Sequence, residues 1–210
     1  MKKIMAIILV LIAIFSLNGC SETDFDAKSY VQAVLDAKFQ REYADYAKIV
    51  GVSEKEAKEQ MEREFNEALE DAMKEFDSLY GITEEEMAKY TQLEADVRSK
   101  IEYIVKDAVK DEDGNYAVEV LITPINAYEN WDINVEEKLT KAIQSGATKE
   151  QYMGILLEGA QECFDNVKLG EKVTFTFHVV GEESEDKVLY GIHKDEMLNV
   201  DLIATGQATE

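Results

Sequence analysis

The stretch IEYIVKDAVKDEDGNYAVEVLITP, residues 101–124, decides the fold. Ile101, Tyr103 and Val105 recur at every second position, and Tyr116, Val118, Val120 and Ile122 do so again after the polar segment Asp111 to Asn115. A period of two places alternate side chains on one face of a strand, and the Asp113-Gly114 pair supplies a tight turn between the runs. Two strands joined as a hairpin are therefore expected. Pro124, the only proline of the chain, closes the second strand, where no further ladder donor is needed.

On either side the period changes to that of a helix. Upstream, Val31, Val34, Leu35 and Phe39, followed by Tyr43, Tyr46 and Ile49, keep helical spacing between Asp24 and a stop at Gly51. Ser53 with Glu56 forms a capping-box signature in front of Ala57, Met61, Phe65, Leu69, Ala72, Met73 and Phe76. Gly81 ends that run, and Thr83 with Glu86 repeats the signature before Met87, Tyr90 and Leu93. Downstream, a helical block spans about Val135 to Val167, broken near Ser145 and Gly146, with Thr148 and Gln151 at cap spacing. Val173, Phe175 and Phe177 alternate as a third strand. An acidic loop from Gly181 to Asp186 leads to a fourth through Val188, Tyr190 and Ile192, and a short helix with Met197, Leu198, Leu202 and Ile203 covers the sheet.

Helices then a hairpin, twice over, predict an α+β fold with a helical N-terminal half and a four-stranded antiparallel sheet in two hairpins. The element order is cystatin-like or nuclear-transport-factor-like (NTF2-like) by analogy only. The expected organisation is residues 1–19 as a leader, 20–25 as a short linker, 26–205 as one α+β domain and 206–210 as a frayed tail.

The leader follows from charge and hydropathy. Lys2 and Lys3 precede an apolar run from Ile4 to Leu17, and no acid occurs before Glu22. This is the layout of an export signal. As a helix those fourteen residues extend about 21 Å, short of a hydrocarbon core of roughly 30 Å, so a permanent span is not expected. The run ends in Leu17, Asn18, Gly19 and Cys20, which resembles the lipobox of bacterial lipoproteins. That resemblance implies a diacylglyceryl group on the Cys20 sulfur and cleavage between Gly19 and Cys20. Leu17 and Gly19 fit the pattern, whereas Asn18 departs from the commoner Ala or Ser.

Removing nineteen of 210 residues leaves 191, enough for a substantial core. Lys2 and Lys3 leave with the signal, so twenty cationic side chains face 44 acids and the formal charge is near −24. Such a surface repels nucleic acid and anionic headgroups, which excludes DNA and RNA as partners. With Cys20 committed to lipid, Cys163 has no partner in the chain, so a disulfide framework is excluded. Cys163 shares a helical stripe with Ala160, Phe164 and Val167 and reads as a small buried residue.

No motif for chemistry emerges. His178 and His193 lack metal-ligand spacing, and no cofactor or metal is expected. Asp111 to Asn115 runs straight into a strand where a calcium loop would need a bidentate Glu at its twelfth position. No nucleophile elbow, phosphate loop or dinucleotide fingerprint occurs. Forty-four acids make carboxylate pairs inevitable and undiagnostic. Tyr30, Phe39, Tyr43, Tyr46, Tyr90 and Trp131 are candidates for lining a cleft between helices and sheet. Of these, Trp131, Tyr43 and Tyr46 are the ligand-contact candidates, with Trp131 between Asn130 and Asp132 in a loop.

The lipobox, Tyr30 to Ala37, the helix start Gly51 to Ala57, and Asp113 to Tyr116 leading to Pro124-Ile125 together resemble uncharacterised small extracytoplasmic lipoproteins of Gram-positive bacteria. The resemblance implies lipid anchoring on the extracytoplasmic face of the cell membrane and supplies no reaction. Two readings of function stand: a non-enzymatic binding or interaction module for a protein or envelope component, and a small-ligand-binding or hydrolytic enzyme using an aromatic cleft with carboxylates.

Overall fold

The computed structural model describes residues 25–184 and 187–207. Leu17, Asn18, Gly19 and Cys20 lie outside the described residues, as do the remainder of the leader, residues 21–24, 185 and 186, and the last three positions. The architecture is α+β. Helices α1 (Ala27–Leu35), α2 (Ala44–Val50), α3 (Glu54–Tyr80) and α4 (Glu84–Arg98) precede strands β1 (Glu102–Lys110) and β2 (Tyr116–Thr123). Then come α5 (Glu137–Gln144), α6 (Lys149–Asp165), β3 (Val173–Ser184), β4 (Lys187–Ile192) and α7 (Lys194–Ala204). The strands form one antiparallel sheet in the order β1-β2-β3-β4, so the helical insertion between β2 and β3 returns the chain to the adjacent position.

Register explains which face is covered. Val105 opposes Val120, which opposes Phe175, and Val118 opposes Phe177. These side chains share one face with Ile122, Val179 and Ile192, and all but the half-buried Phe175 are buried. On the other face Ile104, Val109 and Val180 remain exposed. The β1–β2 turn is closed from within by Asp111, whose Oδ1 accepts from the Asp113 and Asn115 amides at 3.0 and 2.8 Å. Gly114 supplies the positive φ of 87° that the turn requires.

The helix starts carry the capping residues read from the sequence. Ser53 and Glu56 exchange side-chain and backbone bonds at the start of α3, as do Thr83 and Glu86 at α4. Gln151 returns to the Thr148 amide at 2.8 Å.

Two stretches differ from expectation. The helical run to Gly51 is interrupted: α1 widens into a π-helical turn over Asp36–Gln40 and stops at Arg41, which adopts the left-handed conformation with φ 58°. Contacts from the start of β1 and the residue before it hold this break. Tyr103 donates to Asp36 at 2.5 Å, and Gln40 donates to the Ile101 carbonyl at 3.1 Å. Likewise, most of the expected acidic loop after Gly181 is strand, with Gly181 opposite Tyr190 and Glu182 opposite Leu189. Ladder pairing with β4 overrides the local preference of these residues for a loop.

Both ends of the described residues are fastened. Phe25 stacks on Tyr190 with ring centroids 4.1 Å apart and also meets Tyr30 and Tyr116. Beyond α7, the Gln207 amide bonds the Leu202 carbonyl at 2.8 Å. The Ile125 amide reaches the Ala204 carbonyl at 2.8 Å, joining the exit from β2 to the end of the last helix.

Helix α6 approaches the π-helical turn at Asp132–Glu136 closely enough to require glycine at position 159. A Cβ there would stand 2.4 Å from the Asn134 carbonyl oxygen and 2.6 Å from Val135 Cγ2. Gly159→Ala is therefore expected to destabilise the fold by about 1–3 kcal/mol, the usual range for overpacking, read as a lower urea midpoint at unchanged slope. Gly154→Ala on the same helix meets nothing within 4 Å and serves as the control.

Candidate functional site

The least ordinary feature lies among the helices. Arg98, near the end of α4, and Asp201, in α7, are 103 residues apart in sequence and bond directly, with both side chains 3% exposed. Lys38, from the π-helical turn after α1, places its ammonium 3.1 Å from the same Asp201 Oδ1, without the alignment of a hydrogen bond. Glu94, one turn before Arg98, sits 3.5 Å from its Nε and accepts hydroxyl bonds from Tyr90 at 2.9 Å and Tyr128 at 2.7 Å. Phe65 lies beneath the guanidinium at 5.8 Å and Phe39 beneath the ammonium at 5.6 Å.

Burial and charge compete at each group. Burial opposes ionisation of Asp201, but Arg98 and Lys38 outweigh it and hold the carboxyl below its ordinary value. Burial raises Glu94, and Arg98 with the two tyrosine bonds offsets this only in part. Lys38 is lowered by burial despite Asp201. Arg98 is held above its ordinary value because Asp201 and Glu94 overcome its desolvation. One carboxylate pair cannot satisfy every donor. Arg98 Nε and Nη2 and Lys38 Nζ are buried without hydrogen-bond partners, as is Glu64 Oε2 on α3. Such groups are costly unless something meets them.

A cavity of about 20 Å³ lies beside these donors, lined by Lys38, Phe39, Tyr43, Met61, Phe65 and Arg98 among others. That is room for about one water-sized group. Arg41 and Glu62, paired at 2.7 Å, also line it. The cavity can recognise one small anionic or hydrogen-bond-accepting group against fixed cations.

The sequence candidates fall in different places. Tyr43 lines this cavity, 7% exposed and 3.5 Å from Arg41 Nε. Tyr46 is 1% exposed inside the core, together with Tyr30, Phe39 and Tyr90. Trp131 opens the π-helical turn before α5, half-buried against Tyr128 and Phe164. The six aromatics are thus not gathered into one cleft. His178 pairs with Glu196 at 2.6 Å, whereas His193 caps α7. The described residues include no group of three or more His, Cys, Asp or Glu placed to hold a metal. Cys163 is buried beside Asn134, and burial raises its thiol.

Neither a protein-family model nor a curated protein matches the chain. A solved structure does. YcdA of Bacillus subtilis, a protein assigned as a lipoprotein, superposes with a TM-score of 0.57 at 17% identity, covering 85% of this chain. The match spans 55% of that chain, so YcdA is considerably longer. At this identity the likeness is one of fold.

Lys38, Glu94, Arg98 and Asp201 were not legible as a site, because charged residues in so acidic a chain read as surface. A signal existed in their spacing: Lys38 follows Val34 by four, Glu94 follows Tyr90 by four, and Asp201 follows Met197 by four. Each occupies a position of its helix's buried stripe.

Asp201→Ala takes from Lys38 its ion-pair partner and leaves Arg98 with Glu94 alone, and is expected to cost about 3–5 kcal/mol in chemical denaturation. A carboxyl whose folded value is depressed gives stability that is present above its ordinary 3.8 and lost as pH falls through the folded value. Stability measured across acid pH should therefore fall less steeply in Asp201→Asn than in the parent.

Proposed function

We propose that the protein is a lipid-anchored binding or interaction module on the extracytoplasmic face of the cell membrane, its partner a protein or envelope component. The observation that carries this reading is the leader ending in Leu17-Asn18-Gly19-Cys20 only five residues before Phe25, which is already packed on Tyr190. A linker of about five residues spans at most roughly 18 Å, so acylation of Cys20 holds the domain close to the bilayer. Two or three acyl chains, each buried methylene contributing about 0.8 kcal/mol, give durable attachment.

Further support comes from two sides. The fold resembles that of about half of YcdA, which is itself assigned as a lipoprotein. No helix among the described residues is long and apolar enough to cross a membrane. In this reading residues 1–19 are the signal, Cys20 begins the mature chain, and the acidic surface selects basic partners over anionic lipid.

Metabolic labelling with palmitate tests the anchor. The parent chain should carry label and sediment with membranes, and Cys20→Ala should carry none and stay unprocessed. Label persisting in Cys20→Ala would exclude this attachment point.

A further inference from the structure

The cationic cavity has a second chamber in front of it. Arg41 and Glu62 line both the cavity and an open groove of about 670 Å³ between α3 and α4, so their ion pair stands where the two meet. The groove has the size of a small-ligand site, about 300–1,000 Å³. Its wall is acidic, with Glu70, Asp71, Asp77 and Glu84 against Lys74. Behind the ion pair lie Lys38 and Arg98, both paired with Asp201, which still bring three buried nitrogens without hydrogen-bond partners, with Phe39 and Phe65 as apolar walls. Cations concentrated around one cavity are an exception in a chain with 44 acids and 22 bases.

We propose that groove and cavity together form a binding site for a short basic peptide. Its free C-terminal carboxylate lies against Arg98 and Lys38, and its ammonium groups lie along the acidic groove. The inference rests on the reading of the protein as a binding module and supplies the ligand class. Cavity size admits one oxygen of that carboxylate and no more, so the body of the ligand stays in the groove. Glu62 is the resident competitor. Its side chain and that of Arg41 are 30% and 35% exposed, so the pair can open outward and Arg41 can transfer to the incoming carboxylate.

The test is calorimetric titration of the acylated full chain in nanodiscs with the tripeptide lysyl-alanyl-lysine, as the free acid and as its C-terminal amide. The free acid should bind at least about tenfold more tightly than the amide, since the charge-assisted bonds are lost in the amide. Glu62→Gln, which frees Arg41 at the surface, should tighten binding of the acid. Lys38→Met, which removes one of the two cations at the cavity, should weaken it about tenfold or more under conditions in which the variant is folded. If Lys38→Met does not fold, the acid–amide pair and Glu62→Gln decide. Equal affinity for acid and amide, binding of neither, or weaker binding in Glu62→Gln overturns the site, including the case in which a single water occupies the cavity. Palmitate labelling of Cys20 is unaffected by these outcomes, so loss of the peptide site and loss of the anchor are separable.

Discussion

Asp201 is the point at which early, middle and late segments of the chain are tied together by buried charges. The π-helical turn after α1 brings Lys38, α4 brings Arg98 with Glu94 one turn earlier, and α7 brings the carboxylate. Desolvating these charges costs several kcal/mol per ion, and their mutual attraction returns that free energy only while every partner is in place. The cluster therefore adds little net stability over an apolar set of equal volume. What it does is penalise any arrangement in which the three segments do not meet. The arrangement also has a surplus. A guanidinium and an ammonium bring more donors than Asp201 and Glu94 accept, and the leftover donors lie beside a small cavity of the helical layer.

The rest of the fold presents this cluster. The sheet buries one face, with Val118, Val120, Phe177 and Val179 as its centre, and Tyr103 reaches from β1 to Asp36 to hold the break after α1. Without that break the helical run would continue past Arg41, and Lys38 would not be presented as it is. On the other side, Tyr128 links Glu94 to the aromatic contacts of Trp131 and Phe164. Cluster, sheet and helical insertion are thus one connected body of packing. Phe25, seated on Tyr190, joins that body to the segment leading from Cys20.

Much of this was legible in the sequence, for reasons that are local. Period-two alternation on both sides of Asp113-Gly114 specified the first hairpin. Ser53 with Glu56 and Thr83 with Glu86 marked helix starts, because a capping box satisfies backbone amides within four residues of itself. The features that were not legible depend on distant partners. The π-helical turn needs Tyr103 and Ile101, more than sixty residues away. The extension of β3 through Gly181 and Glu182 needs Tyr190 and Leu189 across the ladder. The candidate site is the extreme case: Lys38, Arg98 and Asp201 resemble any other surface charge until the fold places them on one another. Only their stripe positions, four residues after Val34, Glu94 and Met197, hinted at burial.

Native-state hydrogen exchange of the α7 amides is the most direct measure of whether the buried cluster closes the fold. If it does, the amides from Val200 to Ala204 exchange with the same free energy as the core amides of α4 and β2, because α7 cannot leave without stranding Lys38 and Arg98. Exchange of α7 by a separate, lower-energy opening while α4 and β2 stay protected would show that the last helix is held independently of the charges, and would contradict the account.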